Sequence, residues 1–134
     1  MRYKFSGSIP SKKNEKTFFK GRVINSKDYR QFLKSFEYQV RKNYPELFPI
    51  IQALPRPIHI VLHITKWRDN AWDFDNKMTT IQDVMTKIGL IPDDSYKTLL
   101  PFPGELKCDK ATLTSAEDDW YEIEFVKGVE FDRF

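Results

Sequence analysis

The fold is decided by residues 57–65, whose sequence reads PIHIVLHIT. Every second residue is a branched aliphatic side chain, and this period of two is typical of a β-strand. These aliphatic residues are Ile58, Ile60, Leu62 and Ile64. The opposite face carries His59 and His63, which would lie about 13 Å apart along a strand. Because that distance is too long for one metal ion, we expect both histidines to be partly buried or surface residues of a sheet.

One helix is predicted before this strand in the sequence and one after it. The first spans about residues 27–43, with Ser26 as its N-cap and Pro45 as its stop. The second spans about residues 76–88 and ends at Gly89, which suits the left-handed backbone that closes many helices. Shorter strands are predicted at six further places. They are residues 3–5, 17–19, 22–24, 97–100, 105–114 and 120–126, with a tight turn at Lys20-Gly21 and a loop at residues 101–104. The pattern indicates an α/β or α+β fold, in which a single mixed sheet carries two main helices.

The chain has 134 residues, of which 40% are hydrophobic and 31% are charged, and this predicts one soluble domain over residues 1–134. No apolar run reaches the roughly 18 residues that a membrane span requires. The first ten residues lack the apolar block of a signal peptide, so none is expected. The single Cys108 excludes an internal disulfide and zinc sites built from several cysteines. We therefore expect a reducing, cytoplasmic environment.

Charge is distributed unevenly along the chain. Residues 1–44 carry 12 Lys and Arg against 3 Asp and Glu, whereas residues 45–134 carry 10 against 16. A basic N-terminal part of this kind can bind phosphates, and we predict that residues 1–44 face DNA. The candidate contacts are Lys12, Lys13, Lys16, Lys20 and Arg22. Charge alone leaves a solvated surface open as the alternative.

Four aspartates bracket the second predicted helix. Asp73 and Asp75 precede it, and residues two apart in an extended segment point the same way. They therefore form a pair of oxygen ligands suited to Mg²⁺, and Asp93 and Asp94, after the helix, would complete the site. A pair of this kind is often only a turn or a helix cap. Its combination with a basic surface favours metal-dependent chemistry on a phosphate.

Residues 73–94 contain Asp73-x-Asp75-Asn76, a helix with Asp83, Gly89, and the pair Asp93-Asp94. This series of motifs resembles the RusA family of Holliday-junction resolvases. Three N-terminal elements also resemble that family, and they are Ile9-Pro10-Ser11-Lys12-Lys13-Asn14, Gly21-Arg22-Val23 and the helix with Tyr29. The resemblance covers nearly the whole chain, is specific in residues 73–94 and is loose after Leu100.

The resemblance implies a RusA-like, homodimeric endonuclease that resolves four-way DNA junctions by paired nicks, in DNA recombination and repair. Its catalytic carboxylates would be Asp73, Asp75 and Asp94, with Asp93 as a further metal ligand and Asn76 as a DNA contact. The implied cofactor is Mg²⁺, with Mn²⁺ as a substitute, and the implied chemistry is metal-assisted phosphodiester hydrolysis. The protein is expected to be cytoplasmic and associated with DNA, and to be encoded by a phage or a bacterium.

One position departs from the family pattern. Thr79 stands where the family has a lysine, and Lys77 would point about 200° away from it around a helix. Lys66 and Lys87 are alternative substitutes, and the sequence does not choose between them. Two other functions therefore stay open. They are a RusA-like protein that binds branched DNA with weak or no nuclease activity, and a small protein-interaction domain.

The length of the second helix predicts a shared site. A helix over residues 76–88 is about 19 Å long, and a connector over residues 89–92 spans at most about 14 Å. The two acidic pairs are therefore not expected to meet within one chain. Two copies of the helix, packed antiparallel about a two-fold axis, would join the pairs of two subunits. They would also bring Lys87, a further predicted DNA contact, near the partner subunit's Asp75.

Overall fold

The computed structural model describes residues 1–10, 16–19, 22–68, 74–93 and 97–127, with residues 16–19, 22–25 and 127 described by their backbone alone. These residues form six strands and three α-helices, numbered in chain order. The strands are β1 (Arg2–Ser6), β2 (Lys16–Phe19), β3 (Arg22–Asn25), β4 (Ile58–Lys66), β5 (Leu99–Cys108) and β6 (Trp120–Lys127). The helices are α1 (Lys27–Asn43), α2 (Leu47–Ala53) and α3 (Phe74–Lys87).

Four strands form a mixed sheet in the order β1-β6-β4-β5. β6 pairs antiparallel with both β1 and β4, whereas β4 and β5 are parallel. The mixed α+β class and the strand predicted at residues 57–65 are therefore confirmed. The strands β2 and β3 form a separate antiparallel hairpin, so the described residues contain two sheets rather than the single predicted sheet.

The helix α1 has the predicted bounds because its cap and its apolar period agree. The Ser26 hydroxyl accepts a hydrogen bond from the Tyr29 backbone N–H at 3.2 Å, which satisfies one of the free donors of the first turn. The ring of Phe36 stacks on Phe5 of β1, with the centroids 5.0 Å apart. Phe5 in turn stacks on Tyr121 of β6 at 5.3 Å. These contacts hold α1 against one face of the sheet.

All three helices pack against this same sheet face. The core cluster includes Tyr3, Ile123 and Leu62, which are register partners across β1, β6 and β4 and therefore share a face. The buried hydrophobic residues of the helices belong to the same cluster. They are Tyr29, Phe32, Phe36 and Val40 of α1, Leu47 and Ile51 of α2, and Met78, Ile81, Val84 and Met85 of α3.

The helix α2 was not predicted. It has seven residues, too few for the helical period to stand out, and it follows Pro45 closely. Pro49 lies in its first turn, where a missing N–H costs nothing because those donors have no partner within the helix. Leu47 and Ile51, four residues apart, bury its inner face.

The predicted loop at residues 101–104 and the predicted break between residues 100 and 105 were wrong. These residues lie inside β5, which is an edge strand that ends at Cys108 rather than at residue 114. Alternate backbone N–H positions of a strand point to the same edge, so Pro101 and Pro103 can both face away from β4 without interrupting its ladder. The sequence shows the prolines but not that the strand has a free edge.

The two histidines of β4 are more deeply buried than we expected. His59 is 1% exposed and His63 is 7% exposed. The ring of His63 lies directly over Gly104, where an added Cβ would come within 2.4 Å of Nδ1. That Nδ1 also accepts a hydrogen bond from the Glu105 backbone N–H at 2.9 Å. His63 therefore serves the pairing of β4 with the irregular part of β5, between Pro103 and Leu106.

Candidate functional site

The start of α3 presents one of the predicted carboxylates to solvent. Asp75 is exposed in the first turn of the helix, where the free N–H groups favour a negative charge. It lines a groove between α3 and the edge strand β5. The other lining residues are Phe74, Met78, Thr79, Gln82, Pro101 and Pro103. This end of the helix can therefore offer a carboxylate oxygen to a cation or to a ligand that enters the groove.

The end of α3 is closed as predicted by Gly89, whose φ of 86° lies in the left-handed region. The Gly89 N–H donates to the Thr86 carbonyl at 3.1 Å, and the Leu90 N–H donates to the Met85 carbonyl at 2.9 Å. Leu90 and Ile91 are then buried, each 2% exposed. The chain is thus fixed close to the last turn of the helix.

Asp93 lies next to this fixed segment. Pro92 lines one cavity together with Thr86 and Gly89, so the residue that follows it also stays near the end of α3. Between Asp75 and Lys87 the helix axis rises about 18 Å. A Mg²⁺ ion binds its ligands at about 2.1 Å, so one ion cannot bind Asp75 and Asp93 of the same chain.

The predicted acidic set has two further members. Asp73 and Asp94 lie outside the described residues. Within the described residues, no group of three or more His, Cys, Asp or Glu side chains is arranged to hold a metal ion. The structure therefore brings together none of the predicted ligands that it describes.

Thr79, at the departure from the family pattern, lies one turn after Asp75. Its hydroxyl donates a hydrogen bond to the Asp75 backbone carbonyl at 2.8 Å, so the side chain bonds the preceding turn of its own helix. Lys77 leaves α3 on another side, as its spacing predicted, and donates to the Ile9 carbonyl. Thr80 donates to the Pro10 carbonyl at 2.8 Å. Lys77 and Thr80 therefore bind residues 9–10, which lie just before Lys12 and Lys13 in the sequence.

The surroundings of Lys77 form a charged cluster that the sequence did not reveal. The pKa of Lys77 is lowered to about 8, chiefly because the ammonium is buried; the nearby Lys66 cation contributes to the lowering, and the Asp119 carboxylate opposes it. Asp119 is 3% exposed, and its carboxylate accepts hydrogen bonds from the Ser8 hydroxyl at 2.6 Å and from the Trp67 backbone N–H at 2.8 Å. The carboxylate thus joins the ends of β1 and β4 beside the two lysines. Such a cluster depends on the tertiary arrangement of three distant segments, so no local pattern indicates it.

Lys87 has partners of its own at the other end of α3. Its ammonium lies 3.3 Å from the Asp83 carboxylate and 4.5 Å from the centroid of the Tyr29 ring. The Tyr29 hydroxyl also donates to Asp83. Asp83, one of the motif residues, therefore contributes to the contact between α1 and α3.

The other predicted DNA contacts are described in part. Lys12, Lys13 and Lys20 lie outside the described residues, and Lys16 and Arg22 are described by their backbone in β2 and β3. Asn76 lies in the first turn of α3 and is half-buried, and its carbonyl accepts a hydrogen bond from Thr80 at 3.1 Å. The prediction that these side chains contact DNA stays a prediction.

Neither a protein-family model nor a curated protein matches the chain. None of the described helices is long and apolar enough to cross a membrane. The functional interpretation therefore depends on the residues and their placement.

The lowered pKa of Lys77 predicts a pH-dependent stability. Between pH 8 and about pH 10.5, the unfolded chain holds a proton on Lys77 that the folded chain has released. The free energy of unfolding should therefore rise with pH in this range, relative to that of Lys77→Met. Urea denaturation at pH 7, 8, 9 and 9.5 measures the difference between the two proteins. The control is Lys97→Met, which removes a lysine from an exposed position. A pH dependence no larger for Lys77→Met than for this control would contradict the assigned burial.

Proposed function

We propose that this chain is a Mg²⁺-dependent endonuclease that cuts four-way or otherwise branched DNA, similar to the RusA family. The observation that carries the proposal is the placement of two exposed aspartates at opposite ends of α3. Asp75 lies in its first turn and Asp93 lies just beyond its end. Each is close in sequence to a second aspartate, Asp73 and Asp94 respectively.

The exposure of these carboxylates supports a role in metal binding. Mg²⁺ is commonly held by one or two carboxylates and keeps several waters, so its protein ligands must be accessible. Asp73, Asp75, Asp93 and Asp94 would hold the metal. When bound, Mg²⁺ would supply the polarisation of the scissile phosphate and the activation of a water for phosphodiester hydrolysis. The groove beside Asp75 is open to solvent, and its walls include Thr79 and Gln82, which can orient a ligand through hydrogen bonds.

The length of α3 supports a homodimer with shared sites. In one chain, about 18 Å of helix separates Asp75 from the segment before Asp93. Two copies of α3 packed antiparallel about a two-fold axis would place the start of one helix beside the end of the other. This arrangement gives two equivalent sites, which is what paired nicks across a symmetric junction require.

A second candidate function is a protein that binds branched DNA and cuts it slowly. The observation that favours it is the hydroxyl of Thr79, which stands in place of the family lysine and is bonded to the Asp75 carbonyl. The two nearby lysines of α3 are engaged elsewhere, Lys77 with Ile9 and Lys87 with Asp83. Loss of one positioned cation at a reacting phosphate commonly costs about 10²-fold or more in rate.

Nicking of a four-way junction tests the nuclease proposal. With Mg²⁺ the protein should nick a labelled four-way junction and leave a matched linear duplex intact, and a chelator should stop the reaction. Asp75→Asn should lower the nicking rate at least about 10²-fold, because a metal ligand loses its charge. The matched control is Glu46→Gln, an exposed carboxylate at the start of α2, which should keep the wild-type rate. Equal nicking by Asp75→Asn and wild type would contradict the proposal. A wild-type protein that shows no junction binding and no nicking would favour the protein-interaction domain.

Mixed dimers test whether the sites are shared. Asp75→Asn and Asp94→Asn subunits, each inactive alone, should recover nicking when they are mixed and allowed to exchange. In the shared arrangement, one of the two sites then takes both intact aspartates from different subunits. Recovery should be confined to single nicks, because the second site carries both substitutions. A mixture that stays inactive although heterodimers form would contradict the shared site.

Restoring the lysine tests the second candidate function. If the wild-type protein binds the junction but cuts slowly, Thr79→Lys should raise the single-turnover rate by at least about tenfold. The control is Thr79→Met, which has a similar length without charge and also removes the hydroxyl bond to Asp75. An equal rate for both variants and wild type would show that a cation at this position does not limit cleavage.

A further inference from the structure

The outer surface of α1 carries a continuous row of cations. Five basic residues and one tyrosine fall within about 120° of each other around the helix axis, at 100° per residue. We call this set the α1 basic face. It consists of Lys27, Arg30, Lys34, Tyr38, Arg41 and Lys42, and all six side chains are exposed.

Little negative charge opposes this surface. Glu37 pairs with Arg41 at 3.0 Å. No carboxylate of the described residues lies within 4 Å of the charged groups of Lys27, Arg30 or Lys34. Three cations therefore remain available to an anionic partner, on the part of the chain in which basic residues predominate.

An exposed aromatic ring lies within the α1 basic face. Tyr38 is 60% exposed, one of few large hydrophobic side chains that the described surface presents to solvent. The Lys42 ammonium lies 5.4 Å from the centroid of its ring. A ring next to cations can pack on a sugar or stack on a base, which is a common combination in nucleic-acid binding.

The α1 basic face is held rigidly from behind. The opposite side of the helix is locked by buried aromatic residues such as Phe32 and Phe36. The Gln39 side chain accepts a hydrogen bond from the Ser6 N–H at 2.8 Å and so ties the helix to β1. From Lys27 to Lys42 the axis rises about 22 Å, which is roughly two-thirds of a turn of duplex DNA. The cations are thus presented at fixed positions over several successive phosphates.

We infer that the α1 basic face binds the sugar–phosphate backbone of a duplex DNA arm. This inference rests on the proposed function for the identity of its partner, and it assigns a surface separate from the acidic residues around α3. Membrane lipids fit the surface less well. A helix that binds a membrane inserts its apolar side, whereas the apolar side of α1 is buried against the sheet.

Binding to plain duplex tests the inference without any nuclease activity. The variant Lys27→Gln/Arg30→Gln/Lys34→Gln removes the three unpaired cations, and a matched control removes three exposed cations around β5. The control is Lys97→Gln/Lys107→Gln/Lys110→Gln. Fluorescence anisotropy with a labelled 30-base-pair duplex, in chelator, gives Kd between 50 and 200 mM KCl. Circular dichroism verifies that both proteins are folded.

The α1 variant should bind at least about tenfold more weakly than wild type at 100 mM KCl. The slope of log K against log salt should fall in magnitude by roughly 2 to 3, because about 0.9 is lost for each phosphate contact. Equal slopes for the α1 variant and the control would overturn the inference, while junction nicking would still stand. The reverse result, a reduced slope without any nicking by wild type, would support the inference and overturn the nuclease. The inference would also be overturned if the α1 variant lost the binding of wild type to phosphatidylserine vesicles but bound the duplex as tightly as wild type does.

Discussion

The parallel pairing of β4 with β5 is the constraint from which the rest of the arrangement follows. Parallel neighbours cannot be joined by a hairpin, so the chain must return from the end of β4 to the start of β5. The helix α3 makes that return, and its 14 residues extend about 21 Å. The two ends of α3 are consequently held at a distance that no local rearrangement can close. Asp75, in the first turn of α3, and Asp93, just beyond its end, are close in the motif but far apart in one molecule.

The sides of α3 are as different as its ends. One side, with Asp75 and Thr79, forms the groove along the edge strand. Another side carries Lys77, whose ammonium group is partly buried and donates a hydrogen bond to the Ile9 carbonyl. This burial disfavours the charged form and lowers the pKa of Lys77. The core side packs on the sheet through Ile81 and Val84. The helix that bears Asp75 is therefore also the helix that binds Ile9 and Pro10, just before Lys12 and Lys13 in the sequence.

Sequence patterns predicted the elements in which several local signals agree. The bounds of α1 follow from a cap, a long apolar period and a following proline, and the end of α3 follows from Gly89. The errors lie where the deciding factor is not local. The prolines of β5 are compatible with a strand because β5 lies at the edge of the sheet that the described residues form, and α2 is too short to show its period. For the site, helix length alone predicted that Asp75 and Asp93 separate, whereas the burial of Lys77 beside Asp119 depends on contacts between distant segments.

The distribution of cations bears on how a phosphate would be handled by this molecule. Around α3, Lys77 is bonded to a backbone carbonyl and Lys87 is paired with Asp83, so both positive charges already have structural partners. Three further exposed cations, Lys27, Arg30 and Lys34, have no carboxylate partner among the described residues, and they lie on α1, whose aromatic inner side fixes them in place. Under the proposed function, a DNA backbone would be attracted and oriented by α1, away from the carboxylates that repel it. The proposed nuclease would then need a bound divalent cation to neutralise the phosphate near those carboxylates, because Lys77 and Lys87 are engaged elsewhere.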